Sequence, residues 1–306
     1  LVVAKDASAL AQRHPGITIV GDFSGSLGNG GDHLVLKDAH GNPADEVTYF
    51  DGGKWPGKAD GGGSSVELLD PDADNNTATA WAASDETERS SWNTFTYEEV
   101  AVSDGIGNNA YHEFLIALLD SGEFLLDDVS VIENGSTEMI QNGDFEGDPL
   151  GSTADKWRAL GTHGSHGKTV VVDDPDSPGN QCLHIVATGP TGDKHNKLEP
   201  TFPNNEQVTA GATYRISFRA KFLSGNNQVN TRLYFNYLQR TTTMPASEIW
   251  GTPGEINSTA LGHIGPTMEA LAHAPVVPDA NQSVNVAIDA SDPDGISNLT
   301  LFYSIN

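Results

Sequence analysis

In 306 residues, 42 Asp and Glu face only 16 Lys and Arg, giving a formal net charge of -26. Such a surface repels phosphate backbones and anionic lipid heads, so nucleic acid and membrane surfaces are disfavoured as partners, while divalent cations and neutral glycans are compatible. The length is too great for one ordinary sandwich and suits two domains plus part of a third. With 33 Gly and 16 Pro, short strands and turns are favoured over long helices, and the expected class is all-β.

Cys182 is the one cysteine, set in an apolar run with Leu183, Ile185 and Val186. No disulfide can form within the chain, and a small buried hydrophobe is the expected role. No apolar run reaches spanning length. Leu1-Val2-Val3-Ala4 opens the chain in mid-strand, without methionine or leader, and reads as a cut from something longer.

From Leu1 to about residue 89, short β runs are expected at 17–20, 33–37, 46–50 and 65–69. Ala39-His40-Gly41-Asn42 would close a hairpin between two of them. The one helical stretch is Ala7 to Arg13, stopped by His14-Pro15-Gly16. Leu1-Val-Val-Ala-Lys-Asp, Gly21-Asp-Phe-Ser-Gly-Ser-Leu, Asp60-Gly-Gly-Gly-Ser-Ser-Val-Glu-Leu-Leu-Asp-Pro, Asp74-Asn-Asn and Trp81 together resemble the bacterial lamin-tail domain. The resemblance implies an immunoglobulin-like β sandwich over 1–89, incomplete at its N-terminus, with an exposed edge.

Residues 90–258 carry the clearest strand signals. Tyr214, Ile216, Phe218, Ala220 and Phe222 alternate with Arg215, Ser217, Arg219 and Lys221, as a half-buried strand requires. Thr231 to Leu238 is expected to pair with it across a Gly- and Asn-rich loop at 223–230. Two phrases, Met139-Ile-Gln-Asn-Gly-Asp-Phe-Glu and Phe124-Leu-Leu-Asp-Asp-Val-Ser-Val, resemble the opening and closing strands of the galactose-binding-like jelly roll of many carbohydrate-binding modules. Their order is reversed here, which implies either a circularly permuted jelly roll or a different domain closed by residues 90–133. A linker is set at 259–278. Val284 to Ile288, Asp292-Pro-Asp-Gly and Leu299 to Ile305 read as strand, turn and strand, the beginning of an immunoglobulin-like or cadherin-like module over 279–306.

Most catalytic motifs fail on spacing. In Gly161-Thr-His-Gly-Ser-His-Gly-Lys-Thr the first glycine of a phosphate loop would have to stand at Thr162, and a strand, not a helix, is expected to follow at 170–173. His163 and His166 lack a third metal ligand in sequence, and His112-Glu113 meets Ile116 where a zinc protease needs His. Asp70-Pro-Asp-Ala-Asp-Asn-Asn begins like a calcium loop, but Asn75 and Trp81 occupy the Gly and Glu positions, so a turn with Asx caps is expected. No enzymatic role is expected.

Two groups remain. Strand alternation puts Asp127 on one face with Leu125, Val129 and Val131, pointing inward, where a carboxylate needs a partner. In the jelly rolls that these phrases resemble, the matching acids bind a structural calcium, which implies Asp127 and Glu146 as its ligands; a carboxylate accepting backbone N–H groups is the alternative. Arg215, Arg219 and Lys221 share one face, and Arg232, Tyr234 and Asn236 share a face of the next run. If the two runs pair, they make a basic and aromatic platform suited to a glycan, an acidic polysaccharide above all. Solvated cations paired to nearby acids are the alternative. The expected protein is a non-catalytic part of a secreted or cell-surface modular protein, binding glycan through the jelly roll. A structural spacer, or a fibre subunit joined to other modules or subunits through open sheet edges, is the competing expectation.

Overall fold

The computed structural model describes residues 2–102, 112–160, 166–190, 197–234, 237–247 and 249–304. In chain order the elements are β1 (Val2–Ala4), α1 (Ala7–Arg13), β2 (Ile19–Asp22), β3 (Gly31–Lys37), β4 (Pro43–Phe50), β5 (Val66–Leu68) and β6 (Trp81–Ala83). There follow β7 (Asn93–Val100), β8 (Phe114–Leu118), β9 (Gly122–Glu133), β10 (Thr137–Glu138), β11 (Trp157–Leu160), β12 (Val170–Asp173) and β13 (Gln181–Ala187). The last are β14 (Lys197–Pro200), β15 (Thr213–Gly225), β16 (Gln228–Leu233), β17 (Tyr237–Thr243), β18 (Thr267–Ala274) and β19 (Asn285–Ser291). The class is all-β. No helix among the described residues is long and apolar enough to cross a membrane.

The chain divides into two compact units. Unit 1 is residues 1–57, 65–84 and 251–306; unit 2 is residues 58–64 and 85–250. Residues 251–258, expected within the jelly roll, thus return to unit 1. The expected linker at 259–278 contains the whole of β18, and β18 pairs antiparallel with β19. Alternation is hard to see in β18 because Ala270 takes a positive φ of 50° and shifts the register there. Residues 299–304 form no strand.

Unit 1 is assembled from two-stranded pieces: β1 with β2 in parallel, then β3 with β4, β5 with β6 and β18 with β19 antiparallel. Helix α1 begins where Asp6 accepts the N–H of Ala9 at 2.8 Å, and ends before Pro15, which cannot continue it. The β3–β4 turn is held by Asp38, whose Oδ1 accepts the N–H groups of His40 at 2.8 Å and Asn42 at 2.9 Å. Glu67 on β5 accepts from Thr252 Oγ1 and Ser258 Oγ, each at 2.6 Å, so the returning segment runs beside β5.

Unit 2 is a sandwich of two sheets. One has the order β12-β13-β9-β15-β7, with β10 also on β9; the other has the order β11-β14-β8-β16-β17. Phe124, Leu126, Val129, Val131, Ile185, Tyr214, Ile216, Phe218 and Phe222 from the first sheet meet Phe114, Ile116, Leu118, Leu198, Val229 and Leu233 from the second in one core. Strands β7 to β9, which precede the Met139 phrase, therefore share both sheets with the strands that follow it. That resolves where β7, β8 and β9 belong: in the same sandwich.

Three expectations are corrected here. The runs at 213–222 and 231–238 do not pair: β15 lies between β9 and β7, whereas β16 lies between β8 and β17 in the opposite sheet. Both runs have an apolar face, and both faces are buried by turning toward each other across the core, so residues 226–227 form a corner between sheets. Residues 139–146 are not a strand; only Thr137–Glu138 pairs with β9, and the chain then turns through Asn142 and Phe145 at positive φ. Asp127 does not share a face with Val129 and Val131. The extra residue that β9 carries between Ser130↔Ser217 and Asp127↔Arg219 is a bulge, with Asp128 at φ 49°, and it reverses the alternation. Asp127 and Leu125 lie on the outer face opposite Arg219 and Lys221.

Candidate functional site

The outer face of the β12-to-β7 sheet carries the expected acid and three of the expected cations. Arg219 Nη1 is 3.1 Å from Asp127 Oδ2 and 3.2 Å from Asp128 Oδ2, and its Nη2 is 3.9 Å from Asp174. The guanidinium stacks 4.7 Å from the ring centroid of Trp92, whose Nε1–H donates to Asp174 Oδ1 at 3.0 Å. Asn180 Nδ2 donates to Asp127 at 3.0 Å and to Asp174 at 3.2 Å. Asp127 is 1% exposed, and burial pushes its carboxyl up to about 6 despite the Asn180 and Asp128 hydrogen bonds and the Arg219 charge. Lys221, also 1% exposed, reaches Asp176 at 2.7 Å. Arg215 is exposed. Arg219 and Lys221 are thus matched to acids of the chain itself, the arrangement that a neutralised sheet face requires.

A structural calcium on Asp127 and Glu146 does not fit this geometry. Asp127 Oδ2 takes an amide and a guanidinium N–H, and Oδ1 accepts the N–H of Asp128 at 2.8 Å. The positive charge a metal would supply is already present as Arg219. Glu146 Oε1 accepts the N–H of Gln181 at 2.9 Å. The Gln181 amide, oriented by its partners, donates to the carbonyls of Phe145 at 2.8 Å and Asp148 at 3.0 Å.

The opposite outer face, on the β11-to-β17 sheet, gathers charges that sequence reasoning missed. Arg158 on β11 lies opposite Glu199 on β14. Its Nη2 donates to Glu199 Oε1 at 2.9 Å and Glu113 Oε1 at 2.8 Å, and its Nη1 to Thr201 Oγ1 at 2.7 Å. Lys197 and Glu199 face away from the core, since Leu198 between them packs into it, yet each is only 5% exposed. Glu199 Oε2 lies 3.2 Å from Lys197 Nζ but makes no hydrogen bond. Lys197 Nζ also sits 5.2 Å from the ring centroid of Tyr234. Arg232, opposite Leu115 on β8, faces the same way, and burial lowers its guanidinium below the ordinary value. Asn236 and His163 lie outside the described residues. The alternation Lys197-Leu198-Glu199 was the available signal, in a strand of only 4 residues.

In unit 1, His263 Nδ1 is 3.7 Å from Asp70 and 3.8 Å from Asp294, and its Nε2 is 3.5 Å from Asp292. These groups line a cavity of about 400 Å³ with Asp72 and Asp74. The acids also serve their own turns: Asp70 Oδ1 accepts the N–H of Asp72, Asp74 Oδ1 that of Asn76 and Asp292 Oδ1 that of Asp294. Asx capping is thus the role of the Asp70 run. Elsewhere, Cys182 is fully buried, and burial pushes its thiol up to about 12. Comparison of the chain with family models, with curated proteins and with solved structures finds no match.

Proposed function

We propose that this chain is a non-catalytic binding and display segment of a larger secreted or cell-surface modular protein, and that unit 2 binds a glycan on the outer face of its β11-to-β17 sheet. The observation that carries this reading is the group of Arg158, Lys197, Glu199, Arg232 and Tyr234. Arg158 is the exposed cation of the group, and the buried Glu199 and Lys197 beside it hold its guanidinium in place for a ligand's acceptor oxygens. Tyr234 supplies a ring for the apolar face of a sugar, and the cations favour an acidic polysaccharide. The resemblances to a carbohydrate-binding jelly roll and a lamin-tail domain agree with this reading, and the failed spacing of every catalytic motif agrees with a non-catalytic role.

Titration of the 306-residue chain with a panel of neutral and acidic oligosaccharides tests it. Tyr234→Ala and Arg158→Ala should each weaken binding by roughly 1.5–3 kcal/mol, the range for hydrogen bonds to charged groups and of the same order for ring stacking. Arg215→Ala, on the other sheet, should leave it unchanged. Binding that survives both of the first two variants intact would remove this face from consideration.

A second reading, a structural spacer or fibre subunit, is favoured by unit 1. Its small sheets leave Val3, Leu36, Phe50, Met268 and Leu271 more than half exposed. Open edges with apolar side chains are surfaces that a neighbouring module or subunit can complete.

A further inference from the structure

Unit 1 is one body written in three stretches of chain, and the long stretch of unit 2 enters it between Ser84 and Gly251. The exit and the return meet at one residue. Ser84 N–H donates to Ser65 O at 2.8 Å, and Ser65 N–H donates to Ser84 Oγ at 2.8 Å. Gly251 is so close that a Cβ on it would lie 2.5 Å from Ser65 Oγ. Beyond Gly251 the chain is fastened to β5. Besides the Thr252 and Ser258 hydroxyls, Glu67 takes the N–H of Thr259 at 3.3 Å, Asn257 Nδ2 donates to Leu68 O at 2.8 Å, and Leu261 N–H donates to Leu69 O at 2.7 Å. Glu67 is 4% exposed, and although burial raises its carboxyl, the Ser258 and Thr252 hydroxyls hold it below the ordinary value.

The ends of the insert lie together within unit 2 as well, where Arg89 Nη1 donates to Ile249 O at 3.4 Å. As a coil, residues 85–250 would hold Ser84 and Gly251 on the order of 70 Å apart. Bringing them together would cost the closure entropy of that whole loop. The folded sandwich has already met this cost, because its own core brings residues 89 and 249 side by side. Among the described residues, its core in turn uses none from 251–304.

We propose that the folded sandwich of unit 2 is the clasp that closes unit 1, with a one-way dependence: the segment 251–261 holds its place on β5 only while the insert is folded, whereas the insert folds without that segment. The topology alone carries this, independently of what the sandwich binds.

Native-state amide hydrogen exchange on the full chain tests it. Phe218→Leu and the milder Ile216→Val, both at fully buried core positions of unit 2, should speed exchange at Leu126 and Ile216. The amides of Leu69, Ser84 and Leu261 in unit 1 should speed up with them, by about tenfold or more in Phe218→Leu and less in Ile216→Val. Glu67→Gln should speed exchange at Leu261 and leave Leu126 and Ile216 at their original rates. Unchanged rates at Leu69, Ser84 and Leu261 in both core variants would overturn the clasp. Faster exchange in unit 2 on Glu67→Gln would overturn its one-way character.

Discussion

Arg219 and Asp127 stand opposite each other on β15 and β9, with Nη1 3.1 Å from Oδ2, and still the Asp127 carboxyl is pushed up to about 6. Burial takes more from the carboxylate than the guanidinium returns, the usual balance for an ion pair drawn out of water. The pair is therefore a poor source of net stability and a severe liability if one member is lost.

Arg219→Leu should cost roughly 3–5 kcal/mol at neutral pH, because it leaves Asp127 and Asp174 buried without their cation. The cost should shrink in acid. A carboxyl whose folded pKa lies above its unfolded value of 3.8 contributes stability below 3.8, and that contribution is lost as pH rises through about 6. Without Arg219 the folded pKa moves higher still. Urea melts of both proteins at pH 5 and pH 8 check this, and an equal difference at both values counts against it.

His166 should act in the opposite direction. It is fully buried, its Nε2 accepts the N–H of Leu118 at 3.3 Å, and burial brings its pKa down from 6.5 to about 4. The unfolded chain then binds the extra proton between pH 6.5 and about 4, so stability is complete above 6.5 and falls as pH drops through that window. The loss approaches roughly 3 kcal/mol, at 1.36 kcal/mol per pKa unit. His166→Gln should flatten the pH dependence of Tm in this range relative to the original protein.

Gly143→Ala should cost roughly 2–4 kcal/mol, in the range of a severe steric fault. A Cβ at Gly143 would overlap the Val129 carbonyl, and the Gly143 carbonyl accepts the N–H of Val129 at 2.9 Å, so the two backbones cannot separate without losing that bond. Chemical denaturation measures this directly. The neighbouring Gly147, around which a Cβ would meet nothing within 4 Å, should accept alanine with little change.

Calcium should leave the thermal midpoint where the chelator leaves it. The Asp127 carboxylate is filled by Asn180, Arg219 and the Asp128 N–H, and a bound ion would have to displace a cation already in place. A calcium-dependent rise in Tm that disappears in Asp127→Asn would contradict this and restore the metal.

Local rules were readable wherever the chain obeys them locally. Helix α1 follows from Asp6, a run of Ala and Leu, and Pro15, and its bounds are those the pattern predicts. β12 was legible from its apolar run, and β15 from the period of two in Tyr214 to Phe222. The partners of β15 were not, because alternation marks which face is buried and says nothing of which strand lies beside it. The basic platform was divided for that reason: Arg215, Arg219 and Lys221 went to one sheet and Arg232 to the other. Arg158, Lys197 and Glu199 were invisible as a group because they come together only when β11 and β14 pair. The return of residues 251–261 to β5 was hidden in the same way, since a buried Glu67 and a Ser- and Thr-rich stretch almost two hundred residues later carry no periodic signal.

The bulge at Asp128 divides β9 into two halves of opposite parity. Even-numbered residues Phe124 and Leu126 face the core before it, and odd-numbered Val129 and Val131 face it after. Removing Asp128 would take out the one extra residue and leave plain alternation, with Leu126, Val129 and Val131 still toward the core and Asp127 and Ser130 still outside. Deletion of Asp128 should therefore be borne far better than deletion of Ser130, which would turn Val131 out of the core.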